Sequence, residues 1–216
     1  MNRLSGMLLF LGFIALVLGA CSATVRQKKE YYPGKQLKEQ WAEMKDSTGT
    51  YVRHGAYASW YQNGQQQTAG DYSGGGKTGL WTARYEDGQL KEWHEYVGGE
   101  PHGLSVGYYP NGNKKHEGKY IHGKREGRWL SWYENSKAKE EGMYRKGKRH
   151  GLWVSWFENG QKKQESNFKD DLLHGRFTAW RENGLRWTEG QYKDGEKEGT
   201  WTTWDEIGLV VTEEEY

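Results

Sequence analysis

Along residues 54–216 rings, small residues and polar residues alternate with a period of two, and the pattern restarts every 24 residues. The stretch His150-Gly151-Leu152-Trp153-Val154-Ser155-Trp156-Phe157-Glu158-Asn159-Gly160 shows it most fully. Its first glycine recurs as Gly55, Gly79, Gly103, Gly127, Gly151, Gly175 and Gly199, with no insertion or deletion between them. Seven copies in one phase identify a repeat protein. Period-two alternation predicts strands, and because 24 is even, each residue class keeps to one side of the sheet through all copies. Each copy reads as a β-hairpin. Asn63-Gly64, Asp87-Gly88, Asn111-Gly112, Asn159-Gly160 and Asn183-Gly184 are expected to form two-residue type I′ turns with both residues at positive φ. A second turn lies eleven residues later, at Gly74-Gly75, Gly98-Gly99, Lys146-Gly147 and Asp194-Gly195. Glycines this frequent rule out helices.

Counting outward from Asn159-Gly160 predicts Trp156 opposite Lys163, Trp153 opposite Ser166 and Gly151 opposite Phe168. In the preceding copy the same count sets Trp132 opposite Lys139 and Trp129 opposite Gly142. One face would then carry rings that each cover a glycine of the partner strand. The other would carry Trp156 and Trp132 beside lysines, as cation–π pairs. The expected fold is all-β, an elongated single-layer antiparallel meander or solenoid of hairpin repeats. Thirteen or fourteen strands at ~4.8 Å each would make it roughly 60–65 Å long.

Domain boundaries follow from the phase. Six full repeats cover 54–77, 78–101, 102–125, 126–149, 150–173 and 174–197, and a half-copy covers 198–216, so 54–216 is one repeat domain. Residues 36–53 read as a degenerate half-repeat, about five residues longer than the regular spacing, that caps the N-terminal end. Residues 21–35 read as a tether. Residues 1–20 hold one charge, Arg3, and an apolar run from Met7 to Leu18, which is the layout of a secretory signal and is short for a membrane span. Leu18-Gly19-Ala20-Cys21 resembles the bacterial lipobox. That resemblance implies cleavage before Cys21 and its acylation; Ser22 behind it favours the outer membrane if the source is Gram-negative. Cys21 is the only cysteine, so the chain has no disulfide framework.

Loss of the signal takes the formal charge from +2 to +1, which gives no reason to expect nucleic acid or an anionic membrane surface as partner. Twelve Trp and fifteen Tyr against a low aliphatic content point to a core of rings, and they exclude disorder. Ser73-Gly74-Gly75-Gly76-Lys77-Thr78 lacks the first glycine of a phosphate loop and precedes a strand, not a helix. His54, His102, His150 and His174 share one phase. Same-phase residues in adjacent repeats lie ~10 Å apart, too far to share a zinc that needs each ligand within ~2 Å. They are expected as turn histidines, and no metal or other cofactor is expected. No nucleophile, base and orienting group occur together, so the sequence does not describe an enzyme.

The pattern Gly-x-Trp-x-x-Trp-Tyr-x-Asn-Gly, followed by Glu-Gly-x-Tyr-x-x-Gly-Lys, resembles the bacterial variant of the MORN (membrane occupation and recognition nexus) repeat. It is carried by Gly127-Arg128-Trp129-Leu130-Ser131-Trp132-Tyr133-Glu134-Asn135 and by Glu117-Gly118-Lys119-Tyr120-Ile121-His122-Gly123-Lys124, among others. Departures are Ser105 and Arg84 at Trp positions, His94 and Ser166 at Gly positions, and Asp205 at a Tyr position, where looser packing is expected. The resemblance implies a protein-interaction scaffold, here expected on the cell envelope with an envelope protein as partner. Trp and Tyr in Gly-rich hairpins make a cell-wall glycan the alternative ligand, and phospholipid a further one. Bacterial proteins of this make are called YwqK-family antitoxins, which implies a toxin as another possible partner. Under the binding readings Trp60, Trp132, Trp156, Trp180 and Trp204 are the candidate contact residues.

Overall fold

The structure, a computed structural model, describes residues 24–216; the signal segment and Cys21 lie outside the described residues. The described residues form one antiparallel sheet. Its strands are β1 (Arg26–Tyr31), β2 (Leu37–Lys45), β3 (Tyr51–Trp60), β4 (Gln66–Ser73), β5 (Gly76–Arg84), β6 (Leu90–Val97), β7 (Glu100–Tyr108) and β8 (Lys114–Ile121). They continue as β9 (Lys124–Trp132), β10 (Ala138–Arg145), β11 (Lys148–Trp156), β12 (Lys162–Lys169), β13 (Leu172–Trp180), β14 (Arg186–Lys193), β15 (Glu196–Trp204) and β16 (Val210–Glu215). Strand order in the sheet is the order in sequence. Sixteen strands exceed the expected thirteen or fourteen. One of the additional strands is β1, inside the stretch read as a tether: its polar residues hide the register by which it pairs with β2. The C-terminal half-copy also supplies two strands. The extra length of the N-terminal cap sits in the β2–β3 connection, where Asp46 accepts hydrogen bonds from the backbone N–H of Thr48 and Thr50.

The register agrees with the count at Gly151↔Phe168 and Trp153↔Ser166, then shifts so that Trp156 pairs with Lys162. The expected Trp156–Lys163 and Trp132–Lys139 pairs are therefore absent, for a reason that lies in the turn. At Asn159-Gly160 only the glycine has positive φ. Phe157 N–H bonds to the Gln161 carbonyl and Gly160 N–H to the Phe157 carbonyl, giving a three-residue loop with a bulge instead of type I′. The asparagine has another task. Its Oδ1 accepts from the Gln161 N–H, and its Nδ2 donates to the Glu182 carbonyl of the next repeat. Type I′ geometry belongs to the other turn: Gly74-Gly75, Gly98-Gly99, Lys146-Gly147 and Asp194-Gly195 have positive φ at both residues, as does Asp170-Asp171. The stretch Ser73-Gly74-Gly75-Gly76-Lys77-Thr78, which does not fit a phosphate loop, holds one of these turns.

Both margins of the sheet are stitched between repeats. On one, Tyr61, Tyr85, Tyr109 and Tyr133 donate their hydroxyls to the carbonyls of Arg84, Tyr108, Trp132 and Trp156, each in the following copy. On the other, Gly75, Gly99, Gly123 and Gly147 donate N–H to the carbonyls of Arg53, Lys77, Pro101 and Arg125, each in the preceding copy.

The core is a row of indoles: Trp81, Trp129, Trp153 and Trp201 are each at most 6% exposed. Each lies over the glycine eleven residues before it, Gly70, Gly118, Gly142 and Gly190, so closely that a Cβ there would fall inside the ring. The rings thus cover the preceding strand, not the hairpin partner that follows. The cause is the positive-φ glycine two residues before each tryptophan, Gly79, Gly127, Gly151 and Gly199. It breaks the register with the preceding strand and aims the ring back. Each indole N–H then reaches the carbonyl ten residues back, at 3.0 to 3.2 Å. Cations cap the row from above: Lys77 lies 4.2 Å from Trp81, Arg125 4.5 Å from Trp129 and Lys197 4.5 Å from Trp201. These four-residue-offset pairs put the shortest cation–tryptophan contacts on the buried row and not at Trp132 and Trp156.

Candidate functional site

Trp60, Trp132, Trp156, Trp180 and Trp204 end β3, β9, β11, β13 and β15, all at the margin of the three-residue loops. All five are half-buried. Lys114, Lys162 and Arg186, each eighteen residues earlier, lie 5.9, 5.6 and 5.8 Å from the rings of Trp132, Trp180 and Trp204. The lysines expected over Trp156 and Trp132 lie instead over their neighbours: Lys163 is 5.7 Å from Phe157 and Lys139 5.5 Å from Tyr133. Neighbouring members of the Trp row stand at least two strands apart, ~10 Å, so the structure strings them along an edge. Only Trp132 borders the main concavity.

That concavity has a volume of about 440 Å³ and runs over β6 to β11. It opens where the indole row is interrupted. Position 105, which should carry a tryptophan, carries Ser105, and position 94, which should be the glycine beneath it, carries His94; the two are Cα partners. The pair is an exchange of large and small. Ser105 is 1% exposed and Ser166, at another glycine position, 2%. The looser packing expected shows at the first departure, where the Ser105 hydroxyl is buried without a hydrogen-bond partner beside the concavity, while Ser166 accepts a hydrogen bond from Gln164. Ser166 succeeds because the ring above it is Phe177, not an indole. Near the first exchange there is a second contact of this type, with the His116 ring lying over Gly107.

Glu92, His94, His116, Tyr120, Arg125, Trp129, Trp132, Lys139 and Tyr144 are among the lining residues. His94 Nε2 stands 3.5 Å from Glu92 Oε2, and His116 stacks on Trp129 with centroids 6.4 Å apart and planes 18° from parallel. Arg125 donates to the Tyr144 hydroxyl at 2.9 Å. Rings as walls, with carboxylates and cations between them, form a surface for a ligand with both flat apolar and polar parts. Sequence reasoning missed Glu92, His94 and His116 as a group. The usable signal was the eleven-residue offset between His94 and Ser105, which gains meaning once each ring is known to lean back by that distance.

The His116 imidazole is held below its ordinary 6.5, first by burial and then by His94 beside it. The Glu92 carboxyl lies below its ordinary 4.5, chiefly through the hydrogen bond from His94. For both groups the folded value is depressed, so their stabilisation is present above the unfolded value and is lost as pH falls through the folded one. Melting temperature should therefore fall on acidification below about 6.5 as His116 is charged, with a further fall below about 4.5 as Glu92 is protonated. His116→Gln should remove the first component; an unchanged slope between pH 7 and 5.5 would assign it elsewhere.

Three of the four phase-mate histidines serve the type I′ turns, while Nδ1 of the fourth, His150, is buried without a hydrogen-bond partner. Nδ1 of His54, His102 and His174 accepts the N–H of Gly74, His122 and Asp194, each twenty residues on, and Glu126 does the same for Lys146. Among the described residues no group of three or more His, Cys, Asp or Glu could hold a metal ion.

Three stretches, residues 101–122, 125–146 and 149–170, match the family described as MORN repeat variant. They lie on and beside the concavity. No curated protein matches. Among solved structures, the crystal structure of TcdB2-TccC3-Cdc42 is similar at 10% identity and a TM-score of 0.22, over 83% of this chain. This chain spans only 13% of the length of that one. A protein of unknown function from Bacteroides fragilis is similar at 7% identity and a TM-score of 0.17, over 90% of this chain and 94% of its own.

Proposed function

We propose that this chain is a non-catalytic scaffold of the bacterial cell envelope, anchored through an acylated Cys21 and presenting its β-repeats to an envelope protein. The observation that carries the binding role is the concavity at the break in the indole row, where Trp129, Trp132, Tyr120 and Tyr144 adjoin Glu92, Lys139 and Arg125. The three repeat matches support a scaffold of this kind. The lipobox Leu18-Gly19-Ala20-Cys21, with Ser22 behind it, supports export and the outer membrane as its place. A cell-wall glycan is the second reading, favoured by the same juxtaposition of rings with the Glu92 and Glu140 carboxylates.

The test uses the full chain, wild type and Trp132→Ala, with Cys21→Ser as the unanchored control. Wild type should be recovered in the membrane fraction and should retain an envelope protein that Trp132→Ala releases at least tenfold more readily. Sedimentation with purified peptidoglycan, lost in Trp132→Ala, would transfer the role to the glycan reading. Retention of the same envelope components by both forms would refute the concavity as the binding site, and membrane recovery of Cys21→Ser would refute the anchor.

A further inference from the structure

Strands β1 and β16 bound the sheet, each with one hydrogen-bonded neighbour among the described residues. Odd-numbered strands carry the tryptophan phase and even-numbered strands the tyrosine phase, so every internal junction between repeats joins an even strand to the odd strand after it. β1 belongs to the odd type. Its register on β2, Glu30↔Glu39 then Tyr31↔Leu37 with a shift between, repeats that of β3 on β4, Ser59↔Thr68 then Trp60↔Gln66 with the same shift. β16 belongs to the even type, and the strand that should follow it is of the kind that β1 supplies.

The charges on the two ends are opposite. β1 carries Arg26, Lys28 and Lys29 against Glu30, and β16 carries Glu213, Glu214 and Glu215. All these residues are exposed. Like charges on both ends would keep edges apart; opposite charges do so only for like ends. We propose that the chain assembles end to end, with β16 of one copy pairing with β1 of a second copy in the register of an internal junction.

That register fixes the contacts. In the junction of β14 and β15, Glu189 is opposite Thr202 and Trp201 covers Gly190. Moved on by one repeat, the first position pairs Glu213 with Lys29 of the second copy, and the second sets Lys28 over Glu214. Both positions match acid with base. Pairing β1 with β1, or β16 with β16, would set like charges face to face, which is destabilising. Head-to-tail contact of this kind leaves a free edge at each end of every open oligomer, so it adds copies one after another into chains, or into a ring where the rotation between copies closes.

Within one copy Lys29 and Glu213 lie fifteen strand spacings apart, roughly 70 Å, so a direct amide link between them can form only between copies. Treatment of the full chain in mild detergent with a zero-length carbodiimide should give a ladder of regular multiples, and mass spectrometry should find Lys28 or Lys29 joined to Glu213 or Glu214. K28E/K29E alone and E213K/E214K alone should each lose the ladder. An equimolar mixture of the two should recover it, because the acidic β1 of one variant meets the basic β16 of the other. Recovery also shows that neither variant had simply failed to fold. A wild type that stays monomeric at ~100 μM and low salt, where screening is weak, would overturn the proposal, as would a ladder indifferent to all four charges.

Discussion

Gly142→Ser should destabilise the protein by about 3 kcal/mol, the upper part of the range for forcing atoms into a filled core. Gly142 lies under the Trp153 indole, and any Cβ there meets ring carbons. The ring cannot move aside. It is 5% exposed, edge-on to Tyr144 at 5.0 Å and to Phe168 at 6.3 Å, and held by its N–H on the Met143 carbonyl. Trp153→Phe alone should cost less, about 2 kcal/mol. The two together should cost clearly less than their sum, because the chain already contains that combination one repeat later as Ser166 and Phe177, which are Cα partners. Chemical denaturation of the four proteins gives the coupling as a double-mutant cycle. A coupling below about 0.5 kcal/mol would mean that ring and glycine are not the unit of packing.

Removal of 126–149 takes out one period. It leaves Gly118 beneath Trp153, and it brings the Glu158 and Trp156 carbonyls to the positions where Asn111 and Tyr109 now reach Glu134 and Trp132. The shortened chain should melt in one transition within about 5 °C of the wild type. Removal of 126–148 puts Arg149 where Glu126 stood and inverts the faces of the joined strand. The hairpins downstream keep their own turns, so the damage should concentrate at the joint. The melt should split in two, and amide exchange should rise in β8 and the joined strand. Indistinguishable melts for the two deletions would dispose of the parity argument.

Period, parity and the inner register of each hairpin were legible because an even repeat of small and large residues leaves few arrangements, and Gly151↔Phe168 and Trp153↔Ser166 are found as counted. The turns were not. Asn-Gly suits both a type I′ turn and a three-residue loop with a bulge, and the choice moves the lysine opposite Trp156 by one place. The partner of each indole was hidden too, since Gly151 at positive φ turns Trp153 towards the strand before it, while pair counting looks only towards the strand after. The candidate site suffered from the same blindness. His94 and Ser105 were visible as two faults, and only the backward lean of the rings makes them one exchange with a concavity beside it. Strand β1 has neither glycine nor tryptophan, so its phase emerges from pairing alone.

Because strand order in the sheet repeats the order in sequence, the molecule has a distinctive response to pulling. Tension applied at one end loads the outermost strand, whose bonds to its neighbour break one after another and not all together. Each strand with its turn is about 12 residues long and releases roughly 40 Å of chain. The rest of the sheet remains whole until its own turn comes. A chain held at its N-terminal end would lengthen in small steps under low force and rewind when released, yielding at its margin while the repeats around the concavity stay folded.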